Sequence, residues 1–134
     1  MQNEVKHTLF FSQPPHQVWD YLTRPELIAQ WLGETDFKPI EGYRFRFFSP
    51  YGNDCYGEVL EIKPFTKLSY SWQKKSSINN KPFTSTVVWT LVATDGGTAL
   101  HLVHDGFSFT EDALAHGTGW NTCLTMLEEL LKTN

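Results

Sequence analysis

Cysteine, basic charge and long apolar runs are all scarce in this sequence. Two cysteines, Cys55 and Cys123, occur in 134 residues, far apart and without CxxC-type pairing. A disulfide framework or a zinc site would need partners, so both are expected as reduced thiols. Lysine and arginine number 11 against 15 aspartates and glutamates, giving a formal charge of −4 and a pI near 5.7. That balance lacks the basic excess that phosphate backbones and acidic lipid surfaces attract, which argues against nucleic acid and membrane as partners. No apolar stretch approaches the roughly 20 residues that span a bilayer. The opening MQNEVKHTLFF lacks a cationic stretch followed by an apolar secretory segment. A cytoplasmic protein without membrane insertion is expected. No G-x-S-x-G or S-x-x-K motif is present, and Gly117-x-Gly119 lacks both the preceding strand and the third glycine of a dinucleotide fingerprint.

Aromatic residues, in contrast, are abundant, with five Trp, five Tyr and ten Phe. Large rings bury much area for little rotamer entropy, which suits a bulky core or the lining of a ligand pocket. The length fits one domain, residues 1–134. Residues 4–11 read as a strand, and Pro14-Pro15 opens a short helix through Val18, Trp19 and Leu22. Thr23-Arg24-Pro25-Glu26 has capping-box spacing ahead of a second short helix, in which Leu27, Ile28, Trp31 and Leu32 recur up to Gly33. Five strand-like segments follow: Tyr43–Ser49, Cys55–Ile62, Leu68–Gln73, Thr84–Ala93 and Thr98–Asp105, the last two joined by an Asp95-Gly96-Gly97 hairpin. The polar stretch from Gln73 to Pro82 reads as one long exposed loop.

Alternation places Phe45 and Phe47, then Leu68, Tyr70 and Trp72, then Val87, Trp89 and Leu91, then Leu100, Leu102 and His104 on shared faces. From Thr110 to the end, Trp120, Cys123, Leu124, Leu127, Leu130 and Leu131 recur at helical spacing, so this helix should cover the apolar sheet face. One strand, two helices, five strands and a long helix make an α+β layer rather than a doubly wound parallel sheet.

Candidate chemistry is sparse. His101 and His104 stand three apart on a strand, on opposite faces, and cannot chelate one ion together. His104 lies on the apolar parity, where a satisfied structural histidine is expected and a hydrogen bond to ligand or acid–base work is the alternative. Glu58 and Glu61 also read as lying on opposite faces, one a surface charge and the other tying a buried Trp or Tyr donor. Gly117 and Gly119 each cost about 1 kcal/mol inside a helix. Close approach of helix to sheet is the expected reason, and room for a ligand beside Trp120 the alternative.

The phrases PHQVWDYLT with Pro25-Glu26 and Gln30-Trp31-Leu32, then GEVLEIKP at 57–64, LSYSW at 68–72 and TVVWTL at 86–91 resemble the AHSA-like family. These are homologues of the activator of the heat-shock chaperone ATPase, within the START-like (SRPBCC) superfamily. Gly97-Thr98, His104-Asp105-Gly106-Phe107 and Gly119-Trp120 continue the resemblance across nearly the whole chain. It implies a helix-grip (START-like, Bet v-like) fold, a curved antiparallel sheet wrapped around a long C-terminal helix with two short helices after the first strand. It also implies a hydrophobic cavity between sheet and helix. On that reading a small hydrophobic molecule, aromatic or lipid-like, contacts Phe45, Phe47, Tyr70, Trp72, Val87, Trp89, Leu102, His104, Trp120, Cys123 and Leu124. Binding without turnover is the expectation, with no catalytic residue, metal ligand or cofactor assigned. A cyclase- or hydrolase-type enzyme using the same cavity, and a chaperone partner in a stress response, are the alternatives.

Overall fold

A computed structural model describes residues 3–48 and 54–132. The elements run β1 (Val5–Phe11), α1 (Pro15–Thr23), α2 (Pro25–Ile28), β2 (Arg44–Phe47), β3 (Cys55–Lys63), β4 (Lys67–Lys75), β5 (Pro82–Thr94), β6 (Gly97–Asp105) and α3 (Thr110–Lys132). All strand pairs are antiparallel, in the order β1-β6-β5-β4-β3-β2. Helix α3 lies against the apolar sheet face, as the parity requires: Val87, Trp89, Leu91, Leu100 and Leu102 are buried together with Trp120, Leu124, Leu127 and Leu131. The helix-grip architecture is thereby present, with Trp120 edge-on to Trp89 at a centroid distance of 5.5 Å. Ser49 of the expected second strand, and the last two residues of the expected C-terminal helix, lie outside the described residues.

Four local expectations are corrected. The capping box does not form, because Thr23 is still the last residue of α1 and its hydroxyl donates back to the Trp19 carbonyl at 2.8 Å. Arg24 alone separates the two helices, its extended backbone set by the following proline. The second helix then closes at Ile28, and only turn-type hydrogen bonds carry the chain to Gly33. In β3 the register shifts between Val59 and Glu61: Val59 opposes Tyr70 while Glu61 opposes Ser69. The extra residue, Leu60, is a bulge that reverses the parity after it, so Glu58 and Glu61 share the outer face. Neither ties a buried donor. Glu58 pairs with Arg44 at 3.4 Å, and Glu61 with Lys67 at 2.7 Å and Lys63 at 3.7 Å.

The fourth correction concerns the loop from Gln73 to Pro82. Strands β4 and β5 extend into it, with Lys75 paired to Pro82, which leaves residues 76–81 as the connection. That connection is tied down rather than loose. Ser76 is buried, and the Asp112 carboxylate in the first turn of α3 accepts hydrogen bonds from Ser76 Oγ at 2.5 Å, Ser77 N at 2.9 Å and Ser77 Oγ at 2.8 Å. The anion also sits favourably at a helix N-terminus.

At two glycines a side chain cannot be accommodated. The missing side chain of Gly57 leaves room for the ring of its cross-strand partner Phe45, whose Cζ would lie 2.4 Å from an added Cβ. At Gly97, after the Asp95-Gly96 turn, an added Cβ would lie 2.0 Å from the Phe11 carbonyl oxygen.

Candidate functional site

Where β2, β3 and β4 leave the cover of α3, a cleft of about 720 Å³ opens between the sheet, the Leu32–Glu34 segment and the middle of the helix. Phe47, Trp72 and Cys55 line it from the strands, and Phe48 follows at the end of β2. The helix contributes Ala115, His116, Gly119, Trp120 and Cys123, which recur at the 3.6-residue period and so share one face. Lys74 and Glu34 add one charge of each sign. The walls are otherwise apolar and the cleft is open on one side, the form usual for small-molecule sites.

Of the residues expected to contact a ligand, Phe47, Trp72, Trp120 and Cys123 line this cleft. Phe45, Tyr70, Val87, Trp89, Leu102, His104 and Leu124 lie behind that wall in the buried core. Tyr70 OH accepts the Trp89 indole hydrogen at 3.0 Å, and burial raises its phenol pKa. His104 is fully buried and occupied at both nitrogens. Trp120 Nε1 donates to its Nδ1 at 2.8 Å, so its hydrogen is on Nε2, 2.7 Å from Ser85 Oγ, which in turn donates to the Trp72 carbonyl at 3.1 Å. Burial, reinforced by His116, pushes the His104 pKa down to about 3. Such a ring joins helix to sheet and has no free lone pair or proton for a ligand.

Sequence reasoning missed His116, Lys74, Cys55 and Phe48 as cleft residues. His116 stands four before Trp120 on the same helix face, a signal the helical period already carries. Its Nδ1 lies 2.8 Å from the Asp112 carbonyl oxygen. Burial lowers its pKa, the bond to the Asp112 backbone raises it, and the Lys74 charge lowers it again, for a net downward shift. Burial raises the Cys55 thiol to about 12, against a small opposing effect of Lys74, and raises Cys123 as well. Both cysteines are free. Among the described residues, no group of three His, Cys, Asp or Glu side chains could hold a metal ion, and no helix is long and apolar enough to cross a membrane.

The two helix glycines differ from expectation. A Cβ on Gly117 would make only an ordinary contact with Val5 at 3.8 Å, and one on Gly119 would meet nothing within 4 Å. Neither is required by close approach of helix to sheet. Gly119 instead borders the open cleft.

Comparison with known proteins bears on the same architecture. The family model described as activator of Hsp90 ATPase homolog 1-like protein matches residues 12–132. A crystal structure of a Mesorhizobium loti protein is 33% identical, covers 98% of each chain and superposes with a TM-score of 0.91. A protein from the dynemicin biosynthetic locus is 22% identical with a TM-score of 0.87, covering 99% of this chain and 48% of its own. CalU16 from Micromonospora echinospora is 26% identical with a TM-score of 0.77, covering 96% and 74%. No curated protein sequence matches the chain.

Proposed function

The chain belongs to the activator of Hsp90 ATPase homolog 1-like family, and from that premise we propose that it binds a small hydrophobic molecule in the cleft between β2–β4 and α3. The observation that carries this reading is Gly119. A glycine in a helix interior costs about 1 kcal/mol relative to alanine. Here the position borders the cleft and has open space where a side chain would go. We read the glycine as keeping that border clear, since packing does not require it. Burying about 200 Å² of apolar ligand surface would contribute on the order of 5 kcal/mol before association costs, sufficient without catalytic groups.

Binding is favoured over turnover because His104, the residue best placed by sequence for acid–base work, has both nitrogens engaged in the core. A chaperone contact rests on the family description alone, whereas the ligand reading has the cleft besides. Titration with methylnaphthalene, followed by protein NMR, tests the proposal. Resonances of Phe47, Trp120 and Cys123 should shift while those of the outer sheet face stay fixed, and shifts confined to the outer face would overturn it.

A further inference from the structure

Among the described residues, two polar atoms of cleft-lining side chains are buried without a hydrogen-bond partner: the indole Nε1 of Trp72 and Nε2 of His116. Trp31, Trp89 and Trp120 each hand their indole hydrogen to an acceptor, the Tyr21 carbonyl at 2.9 Å, Tyr70 OH at 3.0 Å and His104 Nδ1 at 2.8 Å. Trp72, only 8% exposed, hands its own to none. The two orphan atoms have complementary chemistry. An indole nitrogen can only donate. The Asp112 carbonyl oxygen beside His116 Nδ1 can only accept, so the ring hydrogen sits on Nδ1 and Nε2 presents a lone pair. A buried donor and a buried acceptor left unmet both cost stability until something supplies their partners.

We infer that the molecule taken up in the cleft carries a neutral end that offers both an acceptor and a donor, as an alcohol or phenol does, held by Trp72 Nε1 and His116 Nε2. The inference rests on the cleft being the binding site. Each atom has less than 1 Å² open to solvent, so the rings give slightly on binding, an ordinary adjustment of side chains at a site. Charge favours the neutral end over a carboxylate. An anion would face the His116 lone pair, and burial and the Lys74 ammonium both oppose protonation of that ring. Lys74 itself is half-exposed on a wall that also bears Glu34, and a solvated cation adds little to anion binding.

Methylnaphthalene, naphthol and naphthoate, substituted at one ring carbon, share an apolar body and differ only in that end. Naphthol should bind roughly thirtyfold tighter than methylnaphthalene, the size of effect expected of two neutral hydrogen bonds. Trp72→Phe and His116→Leu should each lower the ratio of naphthol to methylnaphthalene affinity several-fold, whatever each does to the apolar contact that both probes share, and His116→Gln, which keeps an acceptor, should restore part of that ratio. Equal affinity for all three probes would overturn the inference and leave an apolar site. Tightest binding of naphthoate, lost in Lys74→Met, would overturn it in favour of an anionic end. If no probe binds, the binding reading itself fails and this inference with it. Should a variant lose its fold, wild-type protein with nitrogen-labelled tryptophan decides. The Trp72 indole proton must move downfield with naphthol and not with methylnaphthalene, and a resonance unmoved at saturation overturns the inference.

Discussion

His104 Nδ1 accepts the indole hydrogen of Trp120 at 2.8 Å, a polar contact between β6 and α3 inside the buried core. With Ser85 on the other nitrogen, the ring spans both sides of the grip in its neutral form. Protonation would place a donor against a donor and a charge in a medium that cannot solvate it.

The first prediction follows from that neutrality. Burial and the neighbouring His116 depress the folded pKa to about 3, whereas an unfolded histidine titrates near 6.5. Between those values the unfolded chain takes up a proton that the folded one refuses. The stability is therefore fully present above about pH 6.5 and falls with pH by about 1.4 kcal/mol per unit, or about 2 kcal/mol by pH 5. His116, also shifted downward, acts in the same direction. Urea denaturation at pH 7 and pH 5 measures the loss. His104→Gln, although less stable throughout, should depend less steeply on pH, and an unchanged slope would assign the effect elsewhere.

A second prediction separates stability from uptake. Gly119→Leu should stabilise the fold by about 0.5–1 kcal/mol, because a strong helix former replaces glycine at a position where nothing lies within 4 Å of the added Cβ. Placed on the border of the cleft, the same side chain should reduce methylnaphthalene binding at least tenfold. Thermal unfolding and ligand titration of one variant read both effects. A variant that is stabilised yet binds as before would remove the cleft from the function.

Much of this was legible before the fold was known, and the residues show where legibility stops. Period-two alternation in β4, β5 and β6 placed Tyr70, Trp89 and Leu102 inside, because a regular ladder leaves no freedom in which face a residue takes. The Leu60 bulge broke that logic in β3, since one extra residue reverses parity and nothing in Val59, Leu60 or Glu61 announces it. Membership of the apolar face was legible, but depth was not. Trp120 borders the cleft while Leu124, one turn on, is core, and that difference depends on where the sheet edge ends beneath the helix. His116 went unread although its spacing puts it on the Trp120 face, because the helical period says which face a residue takes and not what packs against it.

The third prediction concerns the anchor at the start of α3. Burial works to raise the Asp112 carboxyl, and the hydrogen bonds from Ser76 and Ser77 outweigh it to hold the group below its ordinary pKa. Asp112→Ala removes an acceptor that three donors share. It should cost about 1–3 kcal/mol. Amide exchange of Ser77 should rise by at least an order of magnitude, whereas the Thr86–Thr90 stretch of β5 should quicken only as far as the lost global stability requires. Exchange at Ser77 unaffected by the substitution would mean that the connection is held by its own turn, through Ser76 N to the Lys81 carbonyl at 2.9 Å.

The last prediction uses the two thiols as reporters of the cleft. Both should titrate as free groups in denaturant, since neither is bridged. In the folded protein their reactivities should differ. Cys55 is 4% exposed and its pKa is raised to about 12, so at pH 8 only about one part in ten thousand is thiolate, against roughly a quarter for an unperturbed thiol. Its alkylation should wait on unfolding. Cys123 is half-buried on the helix wall of the cleft, with a thiol raised by burial but within reach of solvent, and should react with iodoacetamide measurably faster. Saturating methylnaphthalene should slow Cys123 several-fold by covering it. Cys55 also borders the cleft, but its rate is set by opening of the fold, so it should slow only as far as the ligand stabilises the protein. Mass spectrometry of timed aliquots resolves the two sites. Protection of Cys123 beyond that shared stabilisation places the ligand against α3, whereas equal slowing of both thiols would mean that the ligand binds elsewhere and merely holds the fold together.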